Sequence, residues 1–433
     1  MKTRALAVVF AFASAAFIQK PVDSQAVAVD AAKWIRTARR ETTFGVTWPA
    51  DPRDPKTVST ALYRGSPGVI LFLLELNQAT GDRAYLDDAK HAADELMTKI
   101  NTETRMGLYD GLAGAGFALG ETWRATKDEQ YHRGAMSVAR LLAKNAGVVG
   151  IGVQWNNTND IMSGSAGIGL FLLYVDDLFH DSDSRTLAVR AGTRLLDLAI
   201  AEKGGSKWTA DPAVRRVVPN FSNGIAGISY FLATLYTKTN DKLFLEGARS
   251  GARYLQAIAK TDGDVCLLPY DLPDQPDLFY LGWDHGPVGT ARLFYRLYQA
   301  TGDDTWMMWV RKSANGILAS GIPASRTGLW NNVSQASGSA GVAQFFLDLY
   351  GVTKDPKYLD FATRMTDDLM AHATRDDKGT RWAQAENRAE PNDLVAQTGY
   401  MQGAAGVGMW LLRLDGAQKG RAPFVHFPDS PWK

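Results

Sequence analysis

Residues 163–173 read SGSAGIGLFLL, a Gly-x-x-Gly step running straight into an apolar stretch. The same phrase returns as RGSPGVILFLL from Arg64, DGLAGAGFALG from Asp110, NGIAGISYFLA from Asn223, HGPVGTARLFY from His285, SGSAGVAQFFL from Ser337 and QGAAGVGMWLL from Gln402. The first glycines are Gly65, Gly111, Gly164, Gly224, Gly286, Gly338 and Gly403, separated by steps of 46 to 65 residues. A self-similar step of that length is one supersecondary unit, so the chain reads as an array.

The first unit shows what each copy encodes. Pro67 suits a first helical turn, where its missing N–H costs nothing. Val69 to Leu76 is apolar on nearly every side except for Glu75, the mark of a helix covered all round. Ala79-Thr80-Gly81-Asp82 breaks it, with Gly81 as the stop. Tyr85, Leu86, Ala89, Ala92, Ala93, Leu96, Met97 and Ile100 then recur at three- and four-residue spacing, with acids, Lys90 and His91 between them. That pattern predicts an amphipathic outer helix and puts His91 on its solvated face. The breaker returns as ATKDEQY, KTNDKLF, ATGDDTW and GVTKDPKY. Each unit is therefore inner helix, turn, outer helix and variable loop. The expected fold class is all-α, an α/α toroid of seven helical hairpins with seven inner and seven outer helices. Closure is favoured over an open solenoid because the inner helices need cover on both sides and neither end carries a polar capping repeat.

The 433 residues carry a net charge of +1, which gives no general pull toward nucleic acid or an acidic membrane. Lys2 and Arg4 precede an apolar run from Ala5 to Ile18, and Ser24-Gln25-Ala26 is a small-x-small site. Residues 1–26 are thus expected to be a signal peptide and residues 27–433 a single toroid domain, secreted or periplasmic. The only cysteine is Cys266, among Val265, Leu267 and Leu268, which excludes an internal disulfide and reads as a buried thiol.

Seven hairpins opened by Gly-x-x-Gly, with YDGLAGAGFALGETW and GYMQGAAGVGMWLLRLD among them, resemble the lanthionine synthetase C family over nearly the whole expected mature chain. The resemblance implies the same toroid. It also implies a zinc site, and there this chain departs from the pattern. The family cysteine of repeat five is replaced by Asp284, the Cys-His pair of repeat six by Ala336 and Ser337, and the catalytic histidine of repeat four by Asn223. Zinc activation of a thiol needs soft and borderline ligands. Thioether cyclisation by the family mechanism is therefore not expected, and no metal or cofactor is assigned.

The loops before the glycines offer other chemistry. They bring Trp155, Trp283, Trp330 and Trp382 near Asn157, Asn332 and Asn387, and flat rings beside amides suit sugars. The same tryptophans could instead pack beneath the loops, and the asparagines could make turns. Carboxylates at this face are Asp110, Asp160, Asp271, Asp284, Glu386 and Glu390. Asp284 and Asp110 come from repeats roughly opposite in the ring and could face each other as a hydrolytic pair, or simply cap helices. His285 reads as a polar site residue, and Arg64 and Gln402 hold the equivalent place in repeats one and seven. The expected catalytic set is Asp284, Asp110, His285 and Glu386. The expected binding set is Trp155, Asn157, Asp160, Asn223, Trp283, Trp330, Asn332, Trp382, Gln402 and Arg64. The favoured function is a glycoside hydrolase acting as a monomer on an oligosaccharide or other small molecule. The alternatives are a non-catalytic peptide- or glycan-binding protein, and a peptide-modifying enzyme with a rebuilt metal site.

Overall fold

The computed structural model describes residues 23–209 and 216–432. The helices run in chain order: α1 Ser24–Thr37, α2 Ser66–Thr80, α3 Arg83–Lys99, α4 Leu112–Thr126, α5 Glu129–Lys144, α6 Ser165–Phe179, α7 Ser182–Asp197, α8 Ile225–Thr239, α9 Lys242–Ile258, α10 Pro287–Thr301, α11 Asp304–Ser320, α12 Ser339–Thr353, α13 Pro356–Ala371 and α14 Ala404–Lys419. The even-numbered helices form the inner ring and the odd-numbered ones the outer ring. Every residue of α2 from Ser66 to Leu76 is buried, as the all-round apolar pattern requires. Each fully buried Leu or Phe contributes roughly 1.5–3 kcal/mol.

The turn between paired helices has a simple local cause. In five hairpins a threonine ends the inner helix, one residue turns left-handed, and an aspartate caps the outer helix; in the third, Phe179 stands in the threonine's place before His180 and Asp181. Thr80, Gly81 at φ 73° and Asp82 make the first such turn, and Thr301, Gly302 at φ 69° and Asp303 the fifth. The aspartate N–H donates to the threonine hydroxyl, and its carboxylate accepts an amide of the outer helix's first turn.

Closure runs through the backbone. The residue two places before each repeat glycine donates its N–H to the carbonyl of its counterpart in the next repeat. The bonds are Tyr63 to Tyr109 (2.8 Å), Tyr109 to Met162 (3.0 Å), Met162 to Ser222 (3.0 Å), Ser222 to Asp284 (3.0 Å), Asp284 to Ala336 (3.1 Å), Ala336 to Met401 (3.0 Å) and Met401 back to Tyr63 (2.8 Å). The second glycine of each motif lets this ring tighten. A Cβ on Gly289 would overlap the carbonyl oxygen of Trp283, six residues back in its own loop.

Two features differ from the simple hairpin reading. The seventh outer helix does not follow α14. It is α1, so the two ends of the chain complete one hairpin, and Asp88 of α3 ties α1 into the outer ring through Arg36 (2.7 Å) and Arg39 (2.8 Å). Short β-hairpins also follow several outer helices, such as Gly147–Val149 with Gly152–Gln154 and Val265–Leu267 with Lys260–Asp262. Cys266 lies buried in the second of these, and burial pushes its thiol up to about 12.

The chain after α14 turns back into the toroid as an extended plug. The carboxylate of Glu75 accepts the amides of Phe424 (3.0 Å) and Val425 (2.9 Å), which accounts for the one acid in an otherwise apolar run. Phe427 stacks on Tyr400 at 4.7 Å, and Trp432 on Tyr295 at 4.1 Å. Asp429, fully buried, accepts from Arg292 and from the Trp283 indole, both at 2.9 Å. Of the expected signal peptide, residues 1–22 lie outside the described residues. Residues 24–26, the expected cleavage site, form the first turn of α1 behind its cap Asp23. No described helix is long and apolar enough to cross a membrane.

Candidate active site

The residue immediately before each repeat glycine stands at an inner-helix N-terminus on one face of the ring. All seven are polar: Arg64, Asp110, Ser163, Asn223, His285, Ser337 and Gln402. A pocket of about 480 Å³ opens there, over repeats one, five, six and seven. Asp284, His285 and Ser337 of repeats five and six line it together with Glu386, Asn387, Glu390, Asp393 and Gln397 from the loop before repeat seven. Tyr63, Arg64, Tyr270, Tyr280 and Gln402 also contribute to its wall.

Asp284 is held hard. Its backbone sits in the hydrogen-bonded ring, one carboxylate oxygen accepts the His285 amide at 2.7 Å, and the other takes a hydrogen bond from the Ser337 hydroxyl. Burial pushes its carboxyl above the ordinary aspartate range, against the opposing pull of His285 and Ser337. Tyr270 and Tyr280 stack on each other at 4.6 Å, and His285 packs against the pair, 4.7 Å from Tyr270 and 5.4 Å from Tyr280. Burial holds its imidazole below the usual histidine range, and its Nδ1 is buried without a partner. Glu386 is exposed and accepts from Gln397 at 2.7 Å. Tyr63 lines the same pocket, and its phenol is pushed up by burial and by the charges of Glu386 and Asp284.

Of the expected catalytic and binding sets, His285, Glu386, Gln402 and Arg64 meet Asp284 here, and the candidates Glu390 and Asn387 line the pocket with them. The other candidates do not line it. Asp110 belongs to the opposite arc, where it accepts from Ser163 at 2.7 Å, so the expected Asp110–Asp284 pairing across one pocket is not formed. Asp160 joins that second cluster, accepting the amides of Ser163 (2.8 Å) and Gly164 (3.0 Å) and the side chain of Asn223 (3.2 Å). Burial raises the carboxyls of both Asp110 and Asp160. Asp271 is buried against Arg216 at 2.9 Å.

The tryptophans are the main correction. Trp155 and Trp382 are buried, and each indole N–H caps the last turn of an outer helix, at Leu142 (2.8 Å) and Leu369 (2.7 Å). Trp208 does the same at Leu195 with the same 13-residue offset. Trp283 points beneath the ring to Asp429, and Trp330 stands outside the pocket lining, against Tyr280 at 6.3 Å. Asn332 accepts from the Ser334 amide in its own loop and donates to the Ala385 carbonyl of the strand before repeat seven. Asn157 is exposed and borders a separate surface pocket with Arg194. The aromatic walls of the site are tyrosines that the sequence reading passed over. Tyr63 was detectable as the neighbour of Arg64, whereas Tyr270 and Tyr280 sit in a long loop with no periodic signal.

The positions that carry zinc in the resembled family do converge, but as Asp284 hydrogen-bonded to Ser337 beside Ala336. One carboxylate, one hydroxyl and one methyl do not make a zinc donor set. Among the described residues, no group of three His, Cys, Asp or Glu side chains could hold a metal ion.

Comparison with solved structures finds nisin cyclase at a TM-score of 0.67 and 15% identity, covering 94% of this chain and 96% of that one. An inactive variant of an alpha-1,6-mannanase from Salegentibacter sp. HEL1_6, in complex with alpha-1,6-mannotetrose, aligns at a TM-score of 0.49 and 14% identity, over 90% and 98% of the two chains. A sugar epimerase from a ruminal bacterium aligns at 0.49 and 14%, over 92% and 98%. No curated protein matches the chain. The family profile described as lanthionine synthetase C-like protein matches residues 56–427. With its seven-hairpin toroid, its closed ring of glycine motifs and that match, the chain belongs to the lanthionine synthetase C-like family.

Proposed function

We propose that the protein is an exported carbohydrate-active enzyme, a glycoside hydrolase that works with Asp284 and Glu386. The observation that carries this reading is that two unlike carboxyl groups line one pocket and both act on Tyr63: a buried one raised by desolvation and an exposed one from the loop before repeat seven. Environments that differ in this way are what acid and base roles require. Asp284 in its protonated form gives its proton to the glycosidic oxygen as the bond to the sugar carbon breaks. Glu386 assists on the opposite face of the ring, as nucleophile or as the base that takes a proton from the attacking water. Tyr270 and Tyr280 offer aromatic walls for a sugar face. Arg64, Asn387 and Gln402 offer hydrogen bonds to hydroxyl edges. The basic and apolar residues 2–18 support export.

The test is an oligosaccharide hydrolysis panel on the full chain, followed by Asp284→Asn and Glu386→Gln. Product formation by the wild type and a loss of about 10² or more in each variant, at an unchanged melting temperature, is the expected outcome. An empty panel, or full turnover in both variants, overturns the reading.

A further inference from the structure

A directed chain of hydrogen bonds ends on one hydroxyl of the pocket. The amide of Val333 donates to Gln384 Oε1 at 3.0 Å. A backbone N–H can only donate, so the Gln384 oxygen must face Val333 and its NH2 must face away. That NH2 reaches the Gln402 carbonyl at 2.6 Å and Gln402 Oε1 at 2.9 Å. Gln402 consequently turns its own NH2 toward Tyr63, with Nε2 2.7 Å from the phenol oxygen. An NH2 cannot accept, so the Tyr63 oxygen accepts and its proton is left to point elsewhere. The bond from Gln402 is the only one this hydroxyl makes to a described side chain. Asp284 and Glu386 stand near enough to act on the phenol, yet neither takes its proton.

We infer that Tyr63 is a substrate-gripping residue, whose hydroxyl proton is held outward by the Val333–Gln384–Gln402 chain and donated to an oxygen of a polyhydroxylated ligand seated between Asp284 and Glu386. The inference rests on the carbohydrate reading and narrows it. The ligand must bring an acceptor oxygen to Tyr63, so a cation of similar size without hydroxyls gains nothing from this residue.

Calorimetric titration of the full chain tests it, with 1-deoxynojirimycin and 1-deoxymannojirimycin as hydroxylated cationic probes and piperidine as the bare ring. Tyr63→Phe should weaken the better hydroxylated probe about tenfold and leave piperidine unchanged. Gln384→Met, outside the pocket, frees the Gln402 amide to flip and capture the Tyr63 proton, and should give a smaller loss with the same selectivity. Equal binding of the hydroxylated probe by wild type and Tyr63→Phe overturns the inference and leaves the carbohydrate reading standing. Equal losses for the probe and for piperidine mark a structural defect and also overturn it. If the wild type binds neither hydroxylated probe, the inference falls together with the reading beneath it.

Discussion

Met401 donates its backbone N–H to the carbonyl oxygen of Tyr63 at 2.8 Å, and this bond joins the last repeat to the first. The next residue, Gln402, then meets the Tyr63 hydroxyl at 2.7 Å. The bond that closes the fold thus also builds one wall of the pocket. It sets residues from the two ends of the chain beside Asp284 of repeat five.

The pH profile of hydrolysis should be limited on its alkaline side by Asp284. A general acid works only while protonated, and burial raises this carboxyl above the ordinary range. Activity should fall as pH rises through that raised value, by about tenfold in kcat/KM per pH unit. Initial rates across a pH series on the substrate found by the panel measure this. A profile with no alkaline fall would remove Asp284 from the acid role.

Asp348 should make stability depend on pH. It lines an internal chamber with Arg292 and Arg413, and burial lifts its carboxyl from 3.8 to about 6. Its folded value is raised, so its contribution is intact below the unfolded value and is lost as pH rises from about 4 through 6. The shift corresponds to about 3 kcal/mol. Between pH 4 and pH 7.5, Asp348→Asn should therefore gain about 2–3 kcal/mol on the wild type in urea unfolding. A constant difference between the two proteins would refute this.

Asp429→Ala should cost about 3–5 kcal/mol, because it removes the buried carboxylate that Arg292 and the Trp283 indole share. Chemical denaturation of the variant reads this directly. A loss below about 1 kcal/mol would mean that the plug is not anchored through this carboxylate.

Trp382→Phe separates packing from ligand binding. The ring volume is largely kept, while the hydrogen bond to Leu369 is lost. Stability should drop by about 1 kcal/mol, and affinity for 1-deoxynojirimycin should not change. Weaker probe binding at full stability would return Trp382 to the ligand site.

Helices and turns were legible because their causes lie within a few residues. The Thr-x-Asp turn, the apolar run from Val69 to Leu76 and the alternation after Tyr85 each act over one or two helical turns, and α2 and α3 formed where those signals stood. The polar residues preceding the glycines were equally visible, and five expected residues, Asp284, His285, Glu386, Gln402 and Arg64, do share one pocket. The roles of the tryptophans were not legible. Whether an indole faces a ligand or caps an outer helix depends on how the loop folds back over that helix.

By itself the chain's order of residues determined a ring of seven hairpins and the loss of a soft-metal donor set, since both rest on local spacing and residue type. The tertiary structure alone decided that Asp284 shares a pocket with Glu386 rather than Asp110, that α1 completes the last hairpin and that the C-terminal segment fills the interior. Those outcomes are set by contacts between residues distant in sequence. Such contacts exist only once the whole circle has closed, and no short window of sequence carries them.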